Sequence, residues 1–199
     1  MRHTEITYWF VLSCSLLLSA EMALAHITPP VVLASDRDAI LEMTSGATRF
    51  FVREVRLTSE ERQGIGQRWG WQPEEELHRF YLGRDVAGQL VAAVMFLTEF
   101  TLHGPVRVAI GLGPDGKVRG ARVVELTEET FHWLKPLLDQ NLTQDYIGRG
   151  SQASFTLGER FTKTSVESMP HFYGQIVASL IHRAVILFDV TVLKRSGKI

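Results

Sequence analysis

The sequence predicts an α+β fold in which one antiparallel sheet packs with a few helices in a single domain. Four strand-like stretches form two hairpins around glycine-containing turns, at 79–82, 89–97, 106–112 and 117–126. Apolar residues then recur at helical spacing, first at 131–138 and again at 175–190. Strands grouped before helices, without regular alternation between them, are typical of α+β proteins.

Two helices and a strand are predicted before the first hairpin. Ser35 and Asp38 resemble a helix start, and the apolar face of this helix would be Ala39, Ile40 and Met43. Gly46 is expected to end it. The alternation at 51–56 predicts a strand. Thr58 and Glu61 form a capping box that opens a second helix, which should end near Gly70.

Residues 1–25 are predicted to be a signal peptide. Arg2 gives a weakly basic start, and the apolar run at 8–20 is too short to cross a bilayer comfortably. Ala23-Leu24-Ala25 supplies the small residues expected before a signal-peptidase site. We therefore expect cleavage after this tripeptide and a periplasmic or other extracytoplasmic location. A retained leader that anchors the protein in the membrane is the alternative.

Charge and cysteine content exclude several classes of function. The chain has 21 basic and 22 acidic residues, and the leader removes Arg2, Glu5 and Glu21, which leaves 20 of each. A neutral balance gives no reason to expect a nucleic-acid partner. The single cysteine, Cys14, lies in the leader. Disulfides, thiolate catalysis, cysteine-bound metals and covalent haem attachment are therefore excluded for residues 26–199.

The segment from Gly111 to Gly116 has the G-x-G-x-x-G spacing of a dinucleotide-binding loop. Such a loop must open a helix whose first amides bind the pyrophosphate. Here the residues at 117–124 alternate as in a strand, and Pro-Asp-Gly is ordinary turn chemistry. We therefore predict a hairpin turn. After residue 25, no two histidines have the spacing of a local metal site, so the sequence does not support metal binding. No serine lies in a nucleophile elbow, so it does not support a hydrolase either.

A series of short motifs runs through the second half of the chain. In order they are Phe80-Tyr81, Gly88, the valine-rich stretch at 103–111 that begins His103-Gly104-Pro105, the turn at 114–118, Val123-Val124-Glu125, Glu129-Thr130, and Arg183-Ala184 within the last helix. In this order, the span from Arg79 to Phe188 resembles the small extracytoplasmic FMN-binding domain of Rnf- and Nqr-type electron-transport complexes. The resemblance implies an FMN-binding-like domain at 79–190. A helix/strand/helix region at 26–78 would precede it and a tail at 191–199 would follow.

Ser45-Gly46-Ala47-Thr48 matches the core of the motif through which such domains attach FMN to a threonine. In the family this motif lies just before the last helix, whereas here it precedes the sheet. The aspartate before it and the second hydroxyl pair after it are also missing. We therefore interpret Thr48 as a helix C-cap.

At the family's position for this motif the chain reads Thr-Lys-Thr-Ser-Val-Glu-Ser, at 162–168. The Gly-Ala pair that lets the backbone approach the flavin phosphate is replaced by bulkier residues. Glu167 also adds a negative charge beside the flavin phosphate, which is itself a dianion. This argues against covalent attachment, although Thr164, Ser165 and Ser168 still offer hydroxyls. The alternative is that these residues only cap the last helix.

The resemblance places the cofactor-binding residues at Lys163, Thr164, Ser165, Ser168, Glu129, Thr130 and His103. Lys163 is expected to pair with the phosphate as a point charge. Phe131, Trp133 and Tyr146 are candidates for packing near the flavin ring, with a core position as the alternative. The predicted function is that of an exported electron carrier, with redox proteins as partners that could be membrane-bound. The alternative is a degenerate, flavin-free domain that serves as a binding or scaffold subunit.

Overall fold

A computed structural model describes residues 29–161 and 168–194, and these contain six strands and four α-helices. The strands are β1 (Pro30–Val32), β2 (Arg49–Arg56), β3 (Leu77–Arg84), β4 (Leu90–Thr101), β5 (Gly104–Leu112) and β6 (Val118–Thr127). The α-helices are α1 (Asp36–Met43), α2 (Ser59–Trp69), α3 (Glu128–Asp139) and α4 (Met169–Thr191). Two short 3₁₀ helices follow α3, at Leu142–Tyr146 and Glu159–Phe161.

All six strands form one antiparallel sheet in the order β1-β6-β5-β4-β3-β2. From β2 to β6, neighbours in the sheet are also neighbours in the chain. β1 instead reaches across the fold to pair with β6, where Pro30 opposes Thr127. The predicted α+β class with an antiparallel sheet is confirmed. β2 forms one edge of the sheet, and the three-residue β1 forms the other.

The segment from Gly113 to Lys117 is a tight turn between β5 and β6. The amide of Gly113 donates to the carbonyl of Lys117 at 2.8 Å, and Gly116 has a φ of +80°. A strand follows the turn, as expected for a hairpin. Gly111 has a packing role, because a Cβ there would lie 2.8 Å from Cβ of Met43 in α1.

Helices cover both faces of the sheet. On one face α1 buries Ala39 and Met43 against Val94, Ala109 and Val124. On the other face α4 packs over β4, β5 and β6 and contributes more buried side chains to the main core than any other element. The period of two along each strand divides its residues between these two layers, as Phe80 and Tyr81 illustrate.

The helix α4 is longer than the sequence predicted. It begins at Met169, after Ser168, whose Oγ accepts a hydrogen bond from the amide of His171 at 3.4 Å. Pro170 lies in the first turn, where its missing N–H costs no hydrogen bond. By length and mean hydropathy (1.3), α4 could cross a membrane, but 67% of that stretch is buried within the protein. Burial of this kind is expected for the central helix of a domain.

Helix ends show where local sequence was informative. Ser35 caps α1, the Thr58–Glu61 capping box opens α2, and Gly70 ends α2 in the left-handed conformation, all as predicted. The predicted end of α1 was wrong. Thr44 is its C-cap, and its hydroxyl donates to the carbonyl of Ile40 at 2.6 Å. Thr48 is not a cap, because its amide donates to Arg84 at the start of the β2–β3 pairing.

Candidate functional site

Two threonines bond the tip of the β4–β5 hairpin to the first turn of α3, and a third closes the hairpin turn itself. Thr127 caps α3, and its hydroxyl donates to the carbonyl of His103 at 2.7 Å. Its oxygen lies 2.8 Å from the hydroxyl of Thr130, which is fully buried. The hydroxyl of Thr101 donates to the carbonyl of Gly104 at 2.8 Å. These bonds fix the backbone that carries His103.

The side chain of His103 is held by α3. Its Nδ1 lies 3.2 Å from Oε1 of Glu129, and its ring meets Trp133 edge to face with 4.8 Å between centroids. Glu129 and Trp133 are four residues apart, so they project from the same side of the helix. One face of α3 therefore provides both a charged and an aromatic partner for the imidazole.

The ring contacts continue from α3 to α4. Trp133 stacks on Tyr173, with centroids 5.5 Å apart and planes 21° from parallel. Tyr173 is buried, and its hydroxyl lies 3.1 Å from that of Thr101. Phe172 meets Tyr173 edge to face at 5.2 Å and is half exposed. We call His103, Trp133, Tyr173 and Phe172 the aromatic series.

A mainly apolar cavity of about 760 Å³ opens beside this series. Its walls come from the end of β4 with the following turn, Glu99 to His103, and from the first two-thirds of α4, Met169 to Arg183. The volume is within the range of about 300–1,000 Å³ that small-molecule sites occupy. Two apolar side chains at its mouth, Phe100 (82% exposed) and Leu102 (101% exposed), project into solvent. We call this space the hairpin cavity.

A second cavity, of about 640 Å³, shares Glu99, Phe100 and Arg183 with the hairpin cavity. Arg183 donates to Oε2 of Glu99 at 2.6 Å, and its guanidinium lies 5.2 Å from the ring centroid of Trp71. His78 lines this second cavity, and neither ring nitrogen has a well-formed hydrogen bond among the described residues. Burial lowers the pKa of His78, and the nearby Glu75 offsets part of this shift.

The structure joins several predicted site residues and leaves others untested. His103, Glu129 and Thr130 lie together at the start of α3. Ser168 caps α4 directly before Met169, which lines the hairpin cavity. Lys163, Thr164 and Ser165 lie outside the described residues. The chain segment that contains them connects the second 3₁₀ helix to the beginning of α4.

The three aromatic candidates have different positions. Trp133 belongs to the aromatic series. Tyr146 is a core residue that stacks on Phe155 at 5.6 Å, and burial raises its pKa to about 12. Because its ring is buried, Tyr146 cannot contact a ligand. Phe131 is partly buried against the main core.

Sequence reasoning missed Thr101, Phe172 and Tyr173. The available signal was Ser168 followed by Pro170, a helix start that places Phe172 and Tyr173 in the first turns of α4 rather than before it.

The chain matches no protein-family model, no curated protein sequence and no solved structure.

Proposed function

We propose that this protein is an exported FMN-binding domain that carries electrons between redox partners. The main support for this proposal is that the aromatic series borders the hairpin cavity at the start of α4. The resemblance assigns the flavin phosphate to the segment that enters this same helix, at 162–168. Ring-binding and phosphate-binding groups would then lie at one end of the fold.

The described residues fit a flavin in size and polarity. The hairpin cavity is mostly apolar, which suits a planar tricyclic ring, and the half-exposed Phe172 provides aromatic surface on its wall. His103, Thr101 and Glu99 add polar groups at its edge. When bound, FMN supplies the capacity to accept and release electrons, whereas the protein positions it and sets its potential.

Each protein group has a separate task in this proposal. Phe172 and His103 would hold the ring and keep water away from one side, and the buried Tyr173 would support Phe172 from behind. Lys163 would pair with the phosphate as a compact cation. Glu129 holds the His103 imidazole in place from the side of α3. None of these tasks requires a substrate of the protein's own, so we propose an electron carrier and not an enzyme.

A flavin-free binding or scaffold subunit is the second candidate. Ser168 already serves as the N-cap of α4, which is the role expected of this segment if it binds no phosphate. The exposed Phe100 and Leu102 would then be protein contacts. The visible absorption spectrum of the purified exported protein separates the two candidates, since only a flavoprotein is yellow.

Titration of apo protein with FMN tests the proposed site directly. Lys163→Glu reverses the charge beside the FMN phosphate, a dianion, and should weaken FMN binding by about 1–3 kcal/mol. Lys117→Glu is the matched control, because Lys117 is exposed at the turn between β5 and β6 and should leave the affinity unchanged. Equal affinities of the Lys163 variant and the unmodified protein, or no binding by either, would reject the phosphate assignment.

A further inference from the structure

The edge strand β2 is long and exposed, and its middle carries three consecutive apolar residues. Phe50, Phe51 and Val52 are 49%, 49% and 59% exposed, and they alternate between the two faces of the sheet. Strand edges usually carry features that prevent pairing with another chain, such as short length or proline. β2 has eight residues without proline, although its three arginines offer some protection.

Every second residue of β2 directs its backbone groups outward. The amide of Leu57 donates to the carbonyl of Glu76 at 2.9 Å, in register with the β2–β3 ladder, which has no bulge. Since such bonded positions alternate in antiparallel pairs, odd-numbered residues bond to β3. The N–H and C=O groups of Phe50, Val52 and Glu54 therefore point away from the sheet, where a further strand could bind them.

A second copy of β2 fits this edge best in one register, the one that pairs the most residues of the strand without a like-charge pair; axes at Phe50 and Val55 also avoid such pairs but join only three residues of each strand. Two antiparallel copies related by a twofold axis through the sheet place each residue opposite one on the same face. If the twofold axis passes through Phe51, Arg49 of one copy lies opposite Arg53 of the other, which puts two positive charges together. If it passes through Arg53 or Glu54, that charged residue lies opposite its own copy. An axis at Val52 creates no like-charge pair in the strand. It also uses the outward-directed groups of Val52 and Phe50.

We infer that β2 is a homodimer interface that joins two sheets across a twofold axis at Val52. In this arrangement Val52 faces its own copy on the α1 side. On the α4 side, Phe51 faces Arg53 of the second copy, a pairing of aromatic ring and cation that occurs twice. Phe50 lies opposite Glu54 of the second copy, which already bonds to Arg79 in its own sheet. The interface does not depend on flavin binding.

Sedimentation velocity of the exported protein, from micromolar to millimolar concentration, should show a reversible monomer–dimer equilibrium. Val52→Lys places two like charges at the axis and should weaken the dimer about tenfold or more. Val86→Lys is the matched control, because Val86 is also exposed (75%) but lies in the β3–β4 turn. It should leave the equilibrium unchanged. A monomer at all concentrations, or equal loss in both variants, would overturn the inference.

Two further variants test the register. Phe51→Glu puts a carboxylate opposite Arg53 of the second copy and should strengthen the dimer. If the two copies associated only through apolar contacts, the same substitution would weaken the dimer instead. Val52→Cys in a Cys14→Ser background should form a disulfide-linked dimer on oxidation, since opposed bonded residues have Cα atoms about 5.5 Å apart. Phe50→Cys, at a position that is also half exposed, lies about 13 Å from its own copy and should not cross-link. Equal cross-linking of both cysteine variants would reject this register.

Discussion

A Cβ atom on Gly104 would lie 2.3 Å from Cγ2 of Thr127. Gly104 also has a φ of +102°, which side-chain-bearing residues rarely adopt. Because Thr127 is fixed by its bond to His103, it cannot easily move aside. We expect Gly104→Ala to lower the free energy of unfolding by about 2–4 kcal/mol, measured by urea denaturation.

Two comparisons separate the steric from the conformational cost at Gly104. Gly88 has a φ of +81° but open space around it, so Gly88→Ala should cost only about 1–2 kcal/mol. Thr127→Ser in the Gly104→Ala background removes the clashing methyl group and keeps the hydroxyl. It should recover part of the lost stability. No recovery would show that Thr127 is not the obstacle.

The ion pair between Arg183 and Glu99 should contribute measurably to stability. Both side chains are about one-third exposed, and the guanidinium also lies over Trp71. A double-mutant cycle with Arg183→Met and Glu99→Gln should give a coupling of about 1 kcal/mol. The exposed pair Lys135–Asp139 is the comparison and should couple by less than about 0.5 kcal/mol. Similar values for both pairs would contradict this prediction.

Burial of His78 should make stability depend on pH. Its pKa in the folded protein is lowered from 6.5, so below pH 6.5 the unfolded chain binds a proton that the folded protein does not. The free energy of unfolding should therefore fall as the pH drops from 6.5 toward the folded pKa. The slope from this group is at most about 1.4 kcal/mol per pH unit.

Denaturation at pH 7.5 and pH 5.5 checks the role of His78. The difference between the two conditions should shrink in His78→Gln. It should persist in His132→Gln, because His132 is exposed. An unchanged pH dependence in His78→Gln would assign the effect to other groups.

Thr48→Ala should leave any flavin content unchanged. Thr48 lies directly before β2, where its amide bonds to the carbonyl of Arg84, whereas the proposed site lies at the β4–β5 hairpin and the start of α4. Absorption spectra and mass spectrometry of the variant, purified from its native host, check this. Loss of covalently bound flavin in this variant would make Thr48 the attachment residue.

Features set by a few adjacent residues were predictable from the sequence. The caps at Ser35 and Thr58 and the turn at Gly116 each depend on local hydrogen bonds or backbone conformation. The end of α1 was missed because Thr44 satisfies a helix carbonyl itself, four residues before Thr48. Local patterns compete at such positions, and packing decides between them.

Contacts between distant elements were not predictable in the same way. Glu129 was named with His103 through the family resemblance, but the 3.2 Å contact between them depends on how α3 meets the β4–β5 turn. The stacking of Tyr173 on Trp133 joins two helices that a long connection separates. A sequence contains the residue types for such a site, but the tertiary packing brings them together.

The position of α4 has a consequence for how the chain reaches its folded state. This helix follows every strand in the sequence, yet it supplies the apolar layer that covers one face of β4, β5 and β6. Until α4 has been synthesised, that face has no cover, and β1 cannot pair before β6 is available. We expect folding to be completed only once residues 169–191 are available, with chaperones binding the open sheet in the interval.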